Sequence, residues 1–389
     1  MRRSIWGTAA AVLVAAVVVG CAPSAAVPNP RPPTASEHSA APTPTPTPTP
    51  APDPAEAAVD AMTTAEQAAS VVMGHISSAD PAAVREYMAS GLGGFILMGG
   101  NIPGDAAQLH ELTAAMAIDP ELPPLIAIDQ EGGVVSRLSW DTLPAGRALQ
   151  NAPPADTRAA FASRADLVAE TGANVNFGII ADVPADPSSF ISSRALGTDP
   201  EAAAQRVRAA VQGEKGIVLS TLKHFPGHGA APGDSHHSIP TTSMSLAQWQ
   251  AGDAKPFIAG IDAGAELLMF GHLAFTSVDQ APASLSSRWH EIARTELGFD
   301  GVMITDDLGM LTSSGVAAYR DPVVNAVDAL IAGNDMVLMV AGSTAATAPA
   351  MVDGIAAAVG DGRLPADRLR DAAVHVMALR LQLAAARSQ

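Results

Sequence analysis

The sequence predicts an α/β protein built as a single (β/α)8 barrel of the TIM type. Three observations carry this expectation. Eight short apolar runs alternate with stretches of helical composition over roughly 330 residues, an ordinary size for such a barrel. The runs are continuously apolar and not alternating, which is the pattern of parallel strands buried on both faces. Nearly every run ends in polar residues, and the active sites of these barrels lie at the C-terminal ends of the strands. An open doubly wound sheet is the structural alternative. No glycine-rich dinucleotide fingerprint follows an early strand, and there is no P-loop.

Residues 1–20 read as a secretion signal. Arg2 and Arg3 form its basic start, and the apolar run 9–19 is too short for an ordinary membrane span. The run ends Val18-Val19-Gly20-Cys21. A small residue before the only cysteine resembles a bacterial lipobox, in which the cysteine is lipidated and becomes the mature N-terminus. Plain secretion, with cleavage after Ala22 or Ala25, is the alternative. A lone cysteine at the end of such a run is otherwise unexplained. Residues 21–55 are rich in Pro, Ala, Thr and Ser, with a Thr-Pro repeat at 43–50. Such a segment cannot bury a core and is expected to be an extended tether.

The folded domain is assigned to residues 56–389. Thr63 and Glu66 have capping-box spacing at its start. Strands are expected at 70–73, 94–98, 125–128, 175–181, 217–222, 266–270, 302–305 and 336–340. Helices are expected at 81–90, 106–117, 157–171, 200–212, 246–263, 288–297 and 322–332. The composition, 48% hydrophobic and 16% charged, suits one large domain or two small ones. A net charge of −17 argues against nucleic-acid binding, which needs a basic face. One cysteine excludes an intrachain disulfide framework.

The strand ends collect the chemistry. The third strand runs into Asp129-Gln130-Glu131-Gly132-Gly133 and then Arg137. The fourth ends at Asp182, the fifth at Lys223-His224, the sixth at Gly271-His272 and the seventh at Asp306-Asp307. One composite pocket follows from that regularity. Its densest part is Lys223-His224-Phe225-Pro226-Gly227-His228-Gly229 with Asp234-Ser235-His236-His237. Proline and glycine forbid a helix there. Three readings compete for this loop. Its histidines bind a metal, although the Pro-Gly between His224 and His228 removes the helical face that a four-residue spacing serves. It is a solvated turn. Or it performs acid–base catalysis, with Asp234 fixing the tautomer of His236 and favouring its protonated form.

This loop, with Pro240 after it, resembles the signature of the β-N-acetylglucosaminidase branch of glycoside hydrolase family 3. The resemblance implies that Asp234 and His236 are the general acid/base pair, in place of the usual second carboxylate. It implies that Asp129 and Arg137 grip hydroxyls of the terminal sugar, since the Asp-Gln-Glu-Gly-Gly turn and its following Arg resemble the family's third-strand motif. Lys223 and His224 are carried over as sugar-binding. Arg194 matches in Ser192-Ser193-Arg194-Ala195-Leu196-Gly197, where the family's Asp and Phe are missing. The run Ile304-Thr305-Asp306-Asp307 resembles the nucleophile strand, with Asp306 as nucleophile. One of this adjacent pair is expected to stay ionised by donors such as Lys223 or Arg194. Asp307 has an alternative reading as an N-cap, and Glu131 is read as structural.

The expected function is a retaining exo-β-N-acetylglucosaminidase acting on cell-wall glycans. No metal or cofactor is implied, and a monomer is expected, lipid-anchored through Cys21 at the outer face of the bacterial cell membrane. The alternatives are phosphate as acceptor in place of water, an inactive sugar-binding lipoprotein, and a metal-dependent hydrolase built on the histidines.

Overall fold

The computed structural model describes residues 53–387. The expected signal segment, Cys21 and the tether up to residue 52 lie outside the described residues. Eight strands run in chain order: β1 (Val72–Gly74), β2 (Gly94–Leu97), β3 (Leu125–Ile128), β4 (Val175–Ile180), β5 (Leu219–Phe225), β6 (Leu267–Phe270), β7 (Val302–Thr305) and β8 (Val337–Leu338). Their spatial order is β8-β1-β2-β3-β4-β5-β6-β7, and every pairing is parallel. A parallel bridge between Ile304 and Met336 brings β7 to β8, so the sheet curls into the expected barrel. No helix among the described residues is long and apolar enough to cross a membrane.

Strand side chains alternate between faces. Leu125 and Ala127 of β3 join Leu267 and Met269 of β6, and Val302 and Ile304 of β7, in one buried cluster, the barrel interior. Ile126 and Ile128 instead pack into a cluster shared with the surrounding helices. Continuing the inward parity by one step reaches Asp129 after β3 and Asp306 after β7. The same alternation that fills the barrel therefore delivers two carboxylates to its mouth.

Several helices start at an Asp-Pro pair: Asp53-Pro54, Asp80-Pro81, Asp199-Pro200 and Asp321-Pro322. In each the Asp side chain accepts backbone N–H bonds of the first turn and the Pro occupies a position that needs no donor. Thr63 and Glu66 form a complete capping box.

Several boundaries differ from the sequence expectation. Helix Pro54–Asp60 takes Pro54 and Ala55 from the stretch read as tether. Ser70 ends helix Thr64–Ser70, so β1 starts later. The segment 246–263 breaks at Gly252 into helices Leu246–Ala251 and Ala254–Ala263. The segment 288–297 is helix Ser287–Glu291 continued by a π-helical turn, Ile292–Glu296. Helices Thr347–Gly360 and Ala366–Arg387 complete the shell, and neither was expected.

The fifth strand matters most. It does not stop at Leu222 but continues through Lys223 and His224 to Phe225. The polar residues that seemed to open a loop are extended and buried. The loop proper starts at Pro226. Its far end is fixed by a small parallel ribbon, Thr241–Thr242 with Ala274–Phe275, where Ala274 N–H donates to the Pro240 carbonyl at 2.9 Å.

Candidate active site

A cleft of about 310 Å³ opens at the C-terminal mouth of the barrel, at the low end of the range for small-molecule sites. Asp129, Arg137, Arg194, Lys223, His224, His236 and Asp306 all line it. Asp234 reaches it through His236. The structure thus brings together every site residue read from the sequence, apart from Cys21, which lies outside the described residues.

Its first cluster is ionic. Lys223 Nζ donates to Asp129 Oδ1 at 2.7 Å and lies 2.9 Å from Glu131 Oε1. Arg194 grips Glu131 with two bonds, at 2.9 and 2.7 Å, and Arg137 donates to Asp129 Oδ2 at 3.3 Å. Burial opposes ionisation of Asp129, but Lys223 and Arg137 outweigh it and hold the carboxyl at about 2. Burial likewise opposes the charge on Glu131, which Lys223 and Arg194 overcome, so its pKa is lowered. Burial also disfavours the Lys223 ammonium, yet Asp129 and Glu131 raise its pKa overall. Glu131 is therefore the joint between Lys223 and Arg194 and not a free acid. The result is a set of charge-assisted donors and acceptors with little freedom to move, the kind of array that orients hydroxyls.

The turn carrying Arg137 is shaped by Gln130. Its Oε1 accepts from the backbone N–H of Arg137 and Leu138 at 2.8 and 3.0 Å, and its amide donates to Asp141 at 2.6 Å. Asp141 is in turn paired with buried Arg164 at 2.7 Å. Gly132 lies in the left-handed region at φ +82°, and a Cβ there would sit 2.3 Å from an Arg164 nitrogen. Only glycine satisfies both conditions.

A second cluster centres on Asp182, fully buried at the end of β4. It accepts from His224 Nδ1 at 2.8 Å and from the backbone N–H of His228 at 2.6 Å. That fixes the His224 ring, whose Nε2 lies 3.4 Å from an Arg194 nitrogen. The sequence marks Asp182 as a strand end but gives no sign of this role. The histidines do not converge: His224 bonds Asp182, His228 bonds Ser235, and His236 bonds Asp234.

Asp306 and Asp307 separate cleanly. Asp306 lines the cleft and accepts from the Asp307 N–H at 2.8 Å. Burial penalises its charge, but His224, His272, that N–H and Lys223 together lower its pKa. Lys223 and Arg194 are committed to Asp129 and Glu131, so Asp306 is held ionised by an amide and by field, not by the direct ion pair expected from the sequence. Asp307 caps helix Leu308–Ser313 by accepting from Gly309 N–H at 2.8 Å. It also accepts from the N–H groups of Val340 and Ala341 at 2.7 and 2.8 Å, tying β7 to the segment after β8. Burial raises its pKa in spite of these donors.

The Asp234–His236 pair is different again. Nδ1 of His236 lies 2.5 Å from Asp234 Oδ1, and their side chains are 57% and 43% exposed. A half-buried, ionised carboxylate and an exposed carboxylate–imidazole pair thus line the same cleft as the ionic cluster. Phe190, edge-on to His228 at 4.9 Å, adds an aromatic wall that no sequence motif marks.

A carboxylate held ionised in a small cleft, with a carboxylate–imidazole pair at its edge, is an arrangement that suits a glycoside hydrolase. Residues 64–379 match the model of the glycosyl hydrolase family 3 N-terminal domain. A β-hexosaminidase of Pseudomonas aeruginosa is 40% identical over 255 residues, covering 64% of this chain and 75% of that protein. One from Chromobacterium violaceum is 37% identical over 260 residues, covering 64% and 71%. The solved structure of a family 3 β-N-acetylglucosaminidase from Paenibacillus sp. superposes with a TM-score of 0.76 at 30% identity, over 85% of this chain and 64% of that one. A β-N-acetylhexosaminidase from Beutenbergia cavernae superposes with a TM-score of 0.71 at 27% identity, over 82% and 98%. The chain belongs to glycosyl hydrolase family 3, in its β-hexosaminidase branch.

Proposed function

We propose that this protein is a retaining exo-β-N-acetylglucosaminidase that removes terminal β-linked N-acetylglucosamine from cell-wall glycans. The observation that carries the reading is the placement of Asp306 and His236 on one small cleft, the first half-buried and ionised, the second at the solvent edge. The cleft suits one terminal sugar, held by Asp129, Arg137, Arg194, Lys223 and His224. An Asp306 oxygen attacks the anomeric carbon as the glycosidic C–O bond breaks. The leaving oxygen takes a proton from Nε2 of His236, whose Nδ1 is occupied by Asp234. Water then enters, His236 takes its proton, and attack at the anomeric carbon releases Asp306. An acid at the solvent edge lies where the aglycone must depart.

A chromogenic β-N-acetylglucosaminide is expected to be turned over at least on the order of 10²-fold faster than the matching β-glucoside, because a site built to bond a polar substituent rejects the analogue lacking it. Equal rates would sink the assignment. Running the reaction with and without phosphate, and identifying free sugar or sugar 1-phosphate, separates hydrolysis from phosphorolysis.

The location is part of the same proposal. Lipidation at Cys21 would hold the barrel at the outer face of the membrane, where wall glycans are found. Cys21→Ala is expected to move the protein from the membrane to the soluble fraction with kcat unchanged. A membrane-bound protein whose Cys21 is unmodified by mass spectrometry would refute it.

A further inference from the structure

Between the two exposed members of the acid/base pair sits Ser235, which is 2% exposed. Its Oγ lies 2.9 Å from Nε2 of His228, itself 1% exposed. We propose that this His228–Ser235 bond is the latch that sets the position of His236, with both residues acting as positioning residues for proton transfer. The proposal rests on the reading of His236 as the acid.

The contacts of the loop single this bond out. The side chains of Asp234 and His236 bond only each other and their own backbone: Asp234 Oδ1 also accepts the His236 N–H at 3.0 Å. Ser238 and His237 bond back to the Asp234 carbonyl, again within the loop. Among the described residues, the one hydrogen bond from 232–239 to a side chain outside that segment is Ser235 to His228. The catalytic pair is a local unit with a single polar attachment to the barrel.

His228 is a firm anchor. Its backbone N–H donates to Asp182, and its ring meets Phe190 and His224 edge-on at 4.9 and 6.0 Å. Its other ring nitrogen, Nδ1, is buried without a partner, so the ring has a single side-chain hydrogen bond and spends it on Ser235. Burial lowers its pKa, which keeps the ring neutral and able to share the bond with a hydroxyl. Asp182 thus holds both His224, on the sugar side, and the latch, on the acid side. The placement of the acid relative to the sugar site is built into one carboxylate.

The test is a series of aryl β-N-acetylglucosaminides of graded leaving-group acidity, read as kcat/KM, which reports the first bond cleavage. A displaced acid matters most where the leaving oxygen needs its proton. Ser235→Ala is expected to steepen the dependence, with a loss on the order of tenfold larger for the poorest leaving group than for the best. In a His236→Ala background the same substitution should change nothing further, because Ser235 acts through His236. His228→Leu should reproduce the steepening, whereas His228→Gln, whose amide can donate or accept at similar reach, should restore the wild-type slope. A merely structural role lowers all substrates alike. Uniform losses in both Ser235→Ala and His228→Leu, or an undiminished Ser235→Ala effect without His236, overturn the latch. A flat series for His236→Ala alone overturns the acid assignment on which the latch depends.

Discussion

Asp306→Ala is expected to lower kcat/KM by on the order of 10⁵-fold or more, because in the proposed mechanism no glycosyl-enzyme forms without this carboxylate. No neighbour can take over. Asp307 is one residue away, but its oxygens accept from the N–H groups of Gly309, Val340 and Ala341, and its pKa is raised by burial and then by Asp306 itself. Glu131 is occupied by Arg194 and Lys223. The loss should be chemical and not structural. The side chain of Asp306 accepts one hydrogen bond, from the Asp307 amide, and among the described residues makes no ion pair, so the variant should melt within a few degrees of the wild type. Two measurements check it: turnover of the best aryl substrate, and mass spectrometry of the wild type after reaction with a slow fluorinated substrate. The second should find the sugar on the peptide containing Asp306. Residual turnover above about one per cent, or a label elsewhere, would move the nucleophile to another residue.

The positions of Asp129 and Asp306 at the barrel mouth were legible for a simple reason. Barrel strands are short apolar runs, and the first polar residue after each one falls at the mouth. Asp129 and Asp306 could be placed by counting alternate positions from Leu125 and Val302. The same rule misplaced the end of β5, because Lys223 and His224 look like a loop until Asp129 and Asp182 are seen to satisfy them. Burial that depends on partners far along the chain leaves no local trace. Asp182 and His228 illustrate this: their roles arise from contacts across 42 to 46 residues and across a turn. The last helix was missed for a different cause: segment 366–387 spreads its apolar residues around all sides, which leaves little contrast between its faces. The split at Gly252 followed from a single glycine inside an otherwise helical run, a signal that is often tolerated and here is not.

Lys223→Met is expected to cost both stability and activity. The ammonium is 2% exposed and serves two buried carboxylates at once. Removing one partner of a buried pair costs about 3–5 kcal/mol, because it leaves an uncompensated charge. Arg137 stays on Asp129 and Arg194 on Glu131, so the lower end applies, about 3 kcal/mol, or a fall in melting temperature of about 4 °C. The pH dependence identifies the cause. In the wild type Asp129 is held at about 2, below its unfolded value of about 3.9, so its stabilisation is complete above pH 4 and is lost as pH falls toward 2. Without the ammonium, burial is opposed only by Arg137 and the Asp129 pKa moves up. The folded variant then takes up a proton at a higher pH than the wild type does. The gap in melting temperature between the two proteins should therefore narrow as pH is lowered from 7 toward 4. Activity should follow a different rule: without Lys223 the site loses a donor and Asp129 loses the partner that positions it, so kcat/KM should fall by on the order of 10²-fold or more at pH 7, and protonating Asp129 on acidification should not restore it. A variant with wild-type melting at every pH would mean that the Lys223–Asp129–Glu131 cluster does not hold the mouth of the barrel, and the proposed sugar-binding role of Lys223 and Asp129 would lose its support.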